Sequence, residues 1–170
     1  IYHNGSQLNN QLSVSAGGER SSVVVSFSNF KEDGLIDGFD YQRYTGRINA
    51  DQLIGKRFKI GVSTLYSNSI NNFGSSSVIS EAVSQSPLGL RYDAEGNIIF
   101  LPISDGIRSN PLSELVPGKR IDERKTTRIF SSAFLFVVIV KGLKYKFLIG
   151  LDHYNFQRGN FEGQYTNTRK

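Results

Sequence analysis

The chain contains no cysteine, no methionine and no tryptophan, and only 4 prolines among its 170 residues. Without cysteine there are no disulfide staples, thiol nucleophiles or thiolate metal sites. Methionine is absent even from position 1. The chain opens on Ile1-Tyr2-His3-Asn4 with no signal peptide, which reads as a processed product or an internal piece of a longer chain. His3 and His153 stand far apart without ligand-like spacing, and no nucleophile-elbow or phosphate-loop pattern occurs, so neither catalysis nor a metal or cofactor is expected. The nearest approach to a calcium loop, Asp93 to Asn97 (DAEGN), lacks the distal acid and reads as a hairpin turn. The net charge of +5 is spread along the chain rather than clustered, so a nucleic-acid partner is not expected.

A long hydrophobic run is also missing. The longest, Ala133 to Val140, has 8 residues. A spanning helix needs about 20, whereas a tilted spanning strand needs only about 9–11. The mean hydropathy of −0.29 is no argument against a membrane, because a spanning strand offers only half its residues to lipid.

What the sequence does have is alternation with a period of two. From Tyr41 to Gln52, Arg43, Thr45, Arg47, Asn49 and Asp51 share one parity while Tyr44, Ile48 and Ala50 share the other. From Arg57 to Ser67, Phe58, Ile60, Val62 and Tyr66 alternate with Lys59, Gly61, Ser63 and Ser67. Similar patterns predict strands over 8–16, 22–30, 126–140 and from 143 to about 151, making six in all. The pattern 90–100 predicts a small hairpin, and 80–86 a short helical turn. The segment 134–140 is apolar on both parities, as if one face packs against another part of a larger assembly. From His153 onward the chain turns polar and aromatic, and the tail 165–170 does not read as a membrane strand.

The predicted connections alternate in length: tight at 17–20, 53–57 and 141–143, longer at 31–40, and very long at 68–125, which carries all 4 prolines. Successive antiparallel strands send successive connections to opposite ends, so one end carries only tight turns. That sorting marks an outer-membrane barrel. If the strands cross a bilayer, Arg43 and Arg47 cannot face lipid, where each costs about 2–4 kcal/mol at the midplane. Tyr44 and Ile48 then point outward, with Tyr145, Phe147 and Ile149, while Lys144 and Lys146 point inward. Tyr41, Tyr44, Phe58 and Tyr66 lie near strand ends, where aromatic girdles sit. The fold class expected is therefore all-β: an antiparallel transmembrane β-barrel segment with long extracellular loops.

Several spaced motifs then resemble the SusC/RagA family of TonB-dependent outer-membrane transporters. They are Leu12 to Gly18 (LSVSAGG), Asp33 to Ile36 (DGLI), Tyr41 to Asn49 (YQRYTGRIN), Phe58 to Val62 (FKIGV), Ser86 to Leu88 (SPL), Tyr92 to Asn97 (YDAEGN) and Val140 to Tyr145 (VKGLKY). The resemblance implies that residues 1–170 form part of a barrel of about 22 strands, with 68–125 as an extracellular loop region and without the family's plug or TonB box. It further implies import of oligosaccharides or oligopeptides across the outer membrane of a Gram-negative cell. The implied partners are a SusD-like surface lipoprotein, TonB–ExbB–ExbD acting through the plug, the remainder of the barrel, and membrane lipid. Lumen-facing candidates for solute contact are Arg43, Arg47, Asn49 and Asp51; equally, the arginines and Asp51 suit a structural charge ladder across the wall. Two other readings fit the residues less well: a complete eight-stranded outer-membrane barrel acting as an adhesin or structural protein, and a soluble carbohydrate-binding β-sandwich.

Overall fold

The computed structural model describes residues 1–103 and 106–166; most of the tail 165–170 lies outside them. Six strands form one antiparallel sheet in chain order: β1 (Ser6–Gly17), β2 (Ser21–Asp33), β3 (Phe39–Ile54), β4 (Phe58–Phe73), β5 (Arg120–Val140) and β6 (Leu143–Glu162). β1 and β6 are not paired with each other, so the sheet is open. An open six-stranded sheet supplies neither the eight strands of a small barrel nor the second layer of a sandwich among the described residues.

All six expected strands form, and most run further than alternation suggested. β4 continues to Phe73 and β5 begins at Arg120, so the long connection shrinks from 68–125 to 74–119. The connection expected over 31–40 tightens to 34–38, and β6 extends past His153 to Glu162. The sorting of connections by length survives. Residues 18–20, 55–57 and 141–142 make tight turns at one end, and 34–38 and 74–119 lie at the other. Gly142 sits at φ +90° in the β5–β6 turn, a backbone region that side-chain-bearing residues disfavour.

Register sorts the residues into two faces, because residues directly opposite each other in a ladder project to the same side. One transverse row reads Ala16–Val23–Ala50–Val62–Ala133–Ile149. The parallel row above it reads Val14–Val25–Ile48–Thr64–Ser131–Leu151. This apolar face has nothing over it: Leu12 is 69%, Val62 44% and Ile149 59% exposed. Among the described residues Val78 and Pro111 are the only buried apolar side chains, and both lie in the long connection. A water-soluble domain of this length buries an apolar core; this one presents its apolar surface outward.

The band has edges. Phe27, Tyr44 and Tyr66 lie within one row of each other at its upper limit, and the Phe27 and Tyr44 rings stack at 6.3 Å. Beyond them the same face turns polar. Gln42 Nε2 donates to the Tyr44 hydroxyl at 2.6 Å, and Asn68 Nδ2 to Thr127 Oγ1 at 2.9 Å. Phe58 and Tyr145 close the lower limit beside Val137. From Phe58 to Tyr66 is about 26 Å along a strand and about 20 Å along the normal at a tilt of about 40°, close to the height of a barrel's apolar belt. Tyr41 does not join a girdle as expected: its parity puts it on the opposite face, against Phe30 at 5.9 Å.

The long connection is folded. It carries α1 (Val78–Ser84), a 3-10 turn (Pro111–Leu115) and the expected hairpin, closed by the Tyr92–Ile98 bridge. Asn110 ties these together. Its side-chain oxygen accepts from Leu112 N at 3.1 Å, and its Nδ2 donates to the carbonyls of Arg91 and Ile99 at 3.0 and 2.9 Å. Glu114, buried, accepts from Ser75 Oγ at 2.8 Å and pairs with Arg120 at 3.3 Å, which joins the connection to the base of β5. No helix among the described residues is long and apolar enough to cross a membrane, which says nothing of strands.

Candidate functional site: the polar face of the sheet

The opposite face is built from the remaining parity of each strand. Leu65, Phe130, Tyr154 and Phe156 share this face; β1 contributes Gln7, Asn9, Gln11, Ser13 and Ser15, and β4 contributes Ser63, Ser67, Ser69 and Asn71. These uncharged donors and acceptors surround a set of arginines on β3, β5 and β6.

The four residues singled out by sequence all lie on this face, in two settings. Asn49 and Asp51 are engaged within the wall: Asn49 Oδ1 accepts from Ser63 Oγ at 2.6 Å, and Asp51 pairs with Lys59 at 3.5 Å. Arg43 and Arg47 have no acidic partner within 4 Å among the described residues. A ladder from Arg47 to Asp51 is therefore not formed; Lys59 takes Asp51 instead. Arg43 lies over the Phe30 ring, its guanidinium 5.6 Å from the centroid. That ring is opposite it in the β2–β3 ladder.

Other residues on this face need the register to be seen. Arg124 stands over Phe73 at 5.0 Å, and Arg158 over the same ring at 5.4 Å. Arg158 is held in a two-bond fork by Asp122, at 2.7 and 2.6 Å, and Arg128 by Asp152, at 2.9 and 2.6 Å. Alternation did not reveal Arg124 or Arg158, because β5 was expected to start at Thr126 and β6 to fade near residue 151. The run Arg124, Thr126, Arg128 carried the only available signal.

Toward the tight-turn end, the run 134–140 has a specific arrangement. Phe134 and Phe136 fall on the polar face, with Leu135 and Val137 on the apolar one. Phe134 fills the space left by Gly61, where an added Cβ would meet its ring and Asp51 Oδ1. Lys59 and Lys146 flank the ring at 5.7 and 5.6 Å. Gly61 is required here by close approach, and Phe134 has partners within the sheet itself. Among the described residues no three His, Cys, Asp or Glu side chains gather as metal ligands.

One strand parity is thus a bare apolar belt edged by aromatic rings, and the other is a hydrogen-bonding, cationic surface. Chemically, one surface suits an apolar medium and the other suits water and polar solutes.

Comparisons agree with that reading. No family model matches the chain. TonB-dependent receptor P3 of Formosa agariphila is 30% identical over 173 residues, covering 95% of this chain but 17% of the receptor. The chain therefore spans about a sixth of the length of that curated relative. Among solved structures, the RagAB peptide transporter aligns with TM-score 0.67 at 18% identity, over 91% of this chain and 18% of that one. The RagAB peptide importer in its closed-closed state aligns with TM-score 0.66 at 18% identity, over 89% of this chain and 18% of that one. In sequence the chain belongs with the TonB-dependent receptors, and in fold it corresponds to a stretch of the RagAB barrel wall.

Proposed function

We propose that this chain forms part of the wall of a TonB-dependent outer-membrane transporter that imports oligosaccharides or oligopeptides into a Gram-negative cell. The observation that carries the reading is the uncovered, aromatic-edged apolar face, set opposite a cationic, hydrogen-bonding face. Six strands leave two open edges, which lipid does not tolerate. The sheet therefore closes against the remainder of its own barrel, and lipid contacts the Ile48 face. In this arrangement the tight turns lie on the periplasmic side, and the connections 34–38 and 74–119 lie outside, where a SusD-like surface lipoprotein caps the barrel. TonB–ExbB–ExbD acts through a plug that these residues do not include. Arg43 and Arg47 face the solute, while Asn49 and Asp51 brace the wall between them and the periplasmic end.

Cysteine scanning supplies the test, with any cysteine elsewhere in the full transporter first replaced. Single cysteines are placed at Arg47, Ile48, Asn49 and Ala50 in the full transporter, and intact outer membranes are treated with a membrane-impermeant, water-soluble thiol reagent. Positions 47 and 49 should react and positions 48 and 50 should stay protected by lipid. Equal labelling of both parities would refute the membrane wall.

A further inference from the structure

We infer that the solute carried past this wall is an acidic oligosaccharide, bound through carboxylate or sulfate groups by Arg43, Arg47 and Arg124. The inference rests on the transporter reading and deepens it.

The charge arrangement is the first ground. Arg124 lies directly opposite Arg158 in the β5–β6 ladder. Like charges at directly opposed positions are destabilising. One acid, Asp122, serves both: it forks onto Arg158 and acts on Arg124 only through its field, without a bond. Arg124 is left with a buried Nε that finds no acceptor. Arg43 and Arg47 are likewise unpaired among the described residues. Glu32 on the neighbouring strand stands one row outward, opposite Tyr41, and forms no ion pair with Arg43. The fold tolerates repulsion here that a single glutamate would relieve, and an anionic ligand supplies that relief.

Preorganisation is the second ground. Two of the three guanidiniums rest on aromatic faces, Arg43 on Phe30 at 5.6 Å and Arg124 on Phe73 at 5.0 Å. Stacking fixes the plane of the guanidinium, which favours capture of an oxyanion through two bonds. The three lie on one face. Arg43 and Arg124 are separated by a single intervening strand, hence by about 10 Å laterally. Both stand toward the end that carries the long connections, where an incoming solute arrives first.

The surroundings choose sugar over peptide. Between and beside the arginines the wall offers Ser67, Ser69 and Asn71 of β4 and the amides of β1. These short uncharged donors and acceptors match the hydroxyls of a polyol, and the exposed rings of Tyr154 and Phe156 on the same face offer flat surfaces on which sugar rings can lie.

The test uses the full-length transporter in detergent. Calorimetric titrations employ a tetragalacturonate, a sulfated glucan tetramer, a neutral glucan tetramer and a tetra-aspartate peptide. At least one of the two acidic sugars should bind more tightly than the neutral one, with an affinity that falls as salt rises. Arg43→Gln, Arg47→Gln and Arg124→Gln should each weaken that binding by about 10- to 100-fold. Arg128→Gln, whose arginine is already engaged by Asp152, should change it less than about threefold. Heat-modifiable migration of each variant confirms that the barrel has assembled. Equal binding of neutral and acidic sugars, failure of both acidic sugars to bind, tighter binding of the peptide, or indifference to all three substitutions overturns the inference. If such results come from a protein whose cysteine-labelling parity is intact, the transporter reading stands and only the acidic-sugar assignment falls. If the parity itself is lost, both fall.

Discussion

Val62 is the most informative position on the lipid side. It lies midway between Phe58 and Tyr66 on β4, opposite Ala50 and Ala133, and is 44% exposed on the apolar face. Each aromatic limit is about 10 Å away along the membrane normal, at a rise of about 3.3 Å per residue and a tilt of about 40°. A guanidinium attached here does not reach either interface. Val62→Arg should therefore lower the stability of the assembled barrel by about 2–4 kcal/mol, roughly a 30- to 700-fold shift in the unfolding equilibrium. Two companions set the scale. Tyr66→Arg, at the upper limit, should cost about 0–1 kcal/mol for the charge. Ser63→Arg, one residue along and on the polar face, should cost about 1 kcal/mol for the lost bond to Asn49. The assay is reversible denaturant unfolding of the full transporter in lipid vesicles, followed by heat-modifiable migration. The order expected is Val62 well above both others. A Val62→Arg cost no greater than that of Ser63→Arg would show that this face does not meet lipid, and the assignment of faces would fail with it.

Two further outcomes follow from local geometry. Gly61→Ala drives a methyl into the Phe134 ring and Asp51 and should cost about 1–3 kcal/mol. Phe134→Ala should relieve that clash, so the double variant should be at least about 1 kcal/mol more stable than the sum of the two single effects predicts, and strict additivity in a double-mutant cycle would refute the contact. In the exposed hairpin, the Asp93 carboxylate accepts from the backbone N–H of Asn97 at 2.7 Å and of Glu95 at 3.1 Å, and from Asn97 Nδ2 at 3.1 Å. The backbone and side-chain bonds from Asn97 are the largest causes holding it below the ordinary aspartate value of 3.8. Because the folded value is the lower one, the turn's carboxylate-dependent stability is fully present above the ordinary value and is lost as pH falls through the depressed one. Hydrogen exchange at the Asn97 amide, corrected for intrinsic rate, should be level from pH 5 to 8 and lose protection below about pH 3.8. Protection that grew on acidification would contradict the assignment.

The sheet was legible in sequence where lipid enforces it and illegible where lipid ends. Inside the belt most outward residues are apolar, with Thr64 and Ser131 bonded to each other, so Ile48, Ala50, Ile60, Val62, Phe147 and Ile149 declared both the strands and their outward parity. Beyond the Tyr44–Tyr66 level both faces meet water or protein, and the period-two signal vanishes although the ladder continues. That is why Asn68 to Phe73, Arg120 to Lys125 and His153 to Glu162 read as loop or tail and yet are paired strand. Tyr41 was misplaced because its nearness to a strand end suggested a girdle, while its odd parity, shared with Arg43, put it on the other side. The clasp of Phe134 over Gly61 was invisible for a different reason: it depends on which residue of β4 lies opposite β5, and no single strand records that.

The same physics locates the candidate site. Arg43 and Arg47 were found because β3 carries its alternation through the belt. Arg124 and Arg158 were missed because they stand above it, where charge carries no lipid penalty on either parity and nothing in the local pattern distinguishes a strand from a polar loop. In the orientation proposed, the wall meets its solute first in that upper zone. Residues there are released from the constraint that makes transmembrane strands recognisable and are free to serve recognition instead. The only partly relieved opposition of Arg124 and Arg158 fits that freedom: on the membrane reading proposed, lipid fixes the apolar face within the belt, whereas above it an incompletely compensated charge can persist when a ligand supplies the rest.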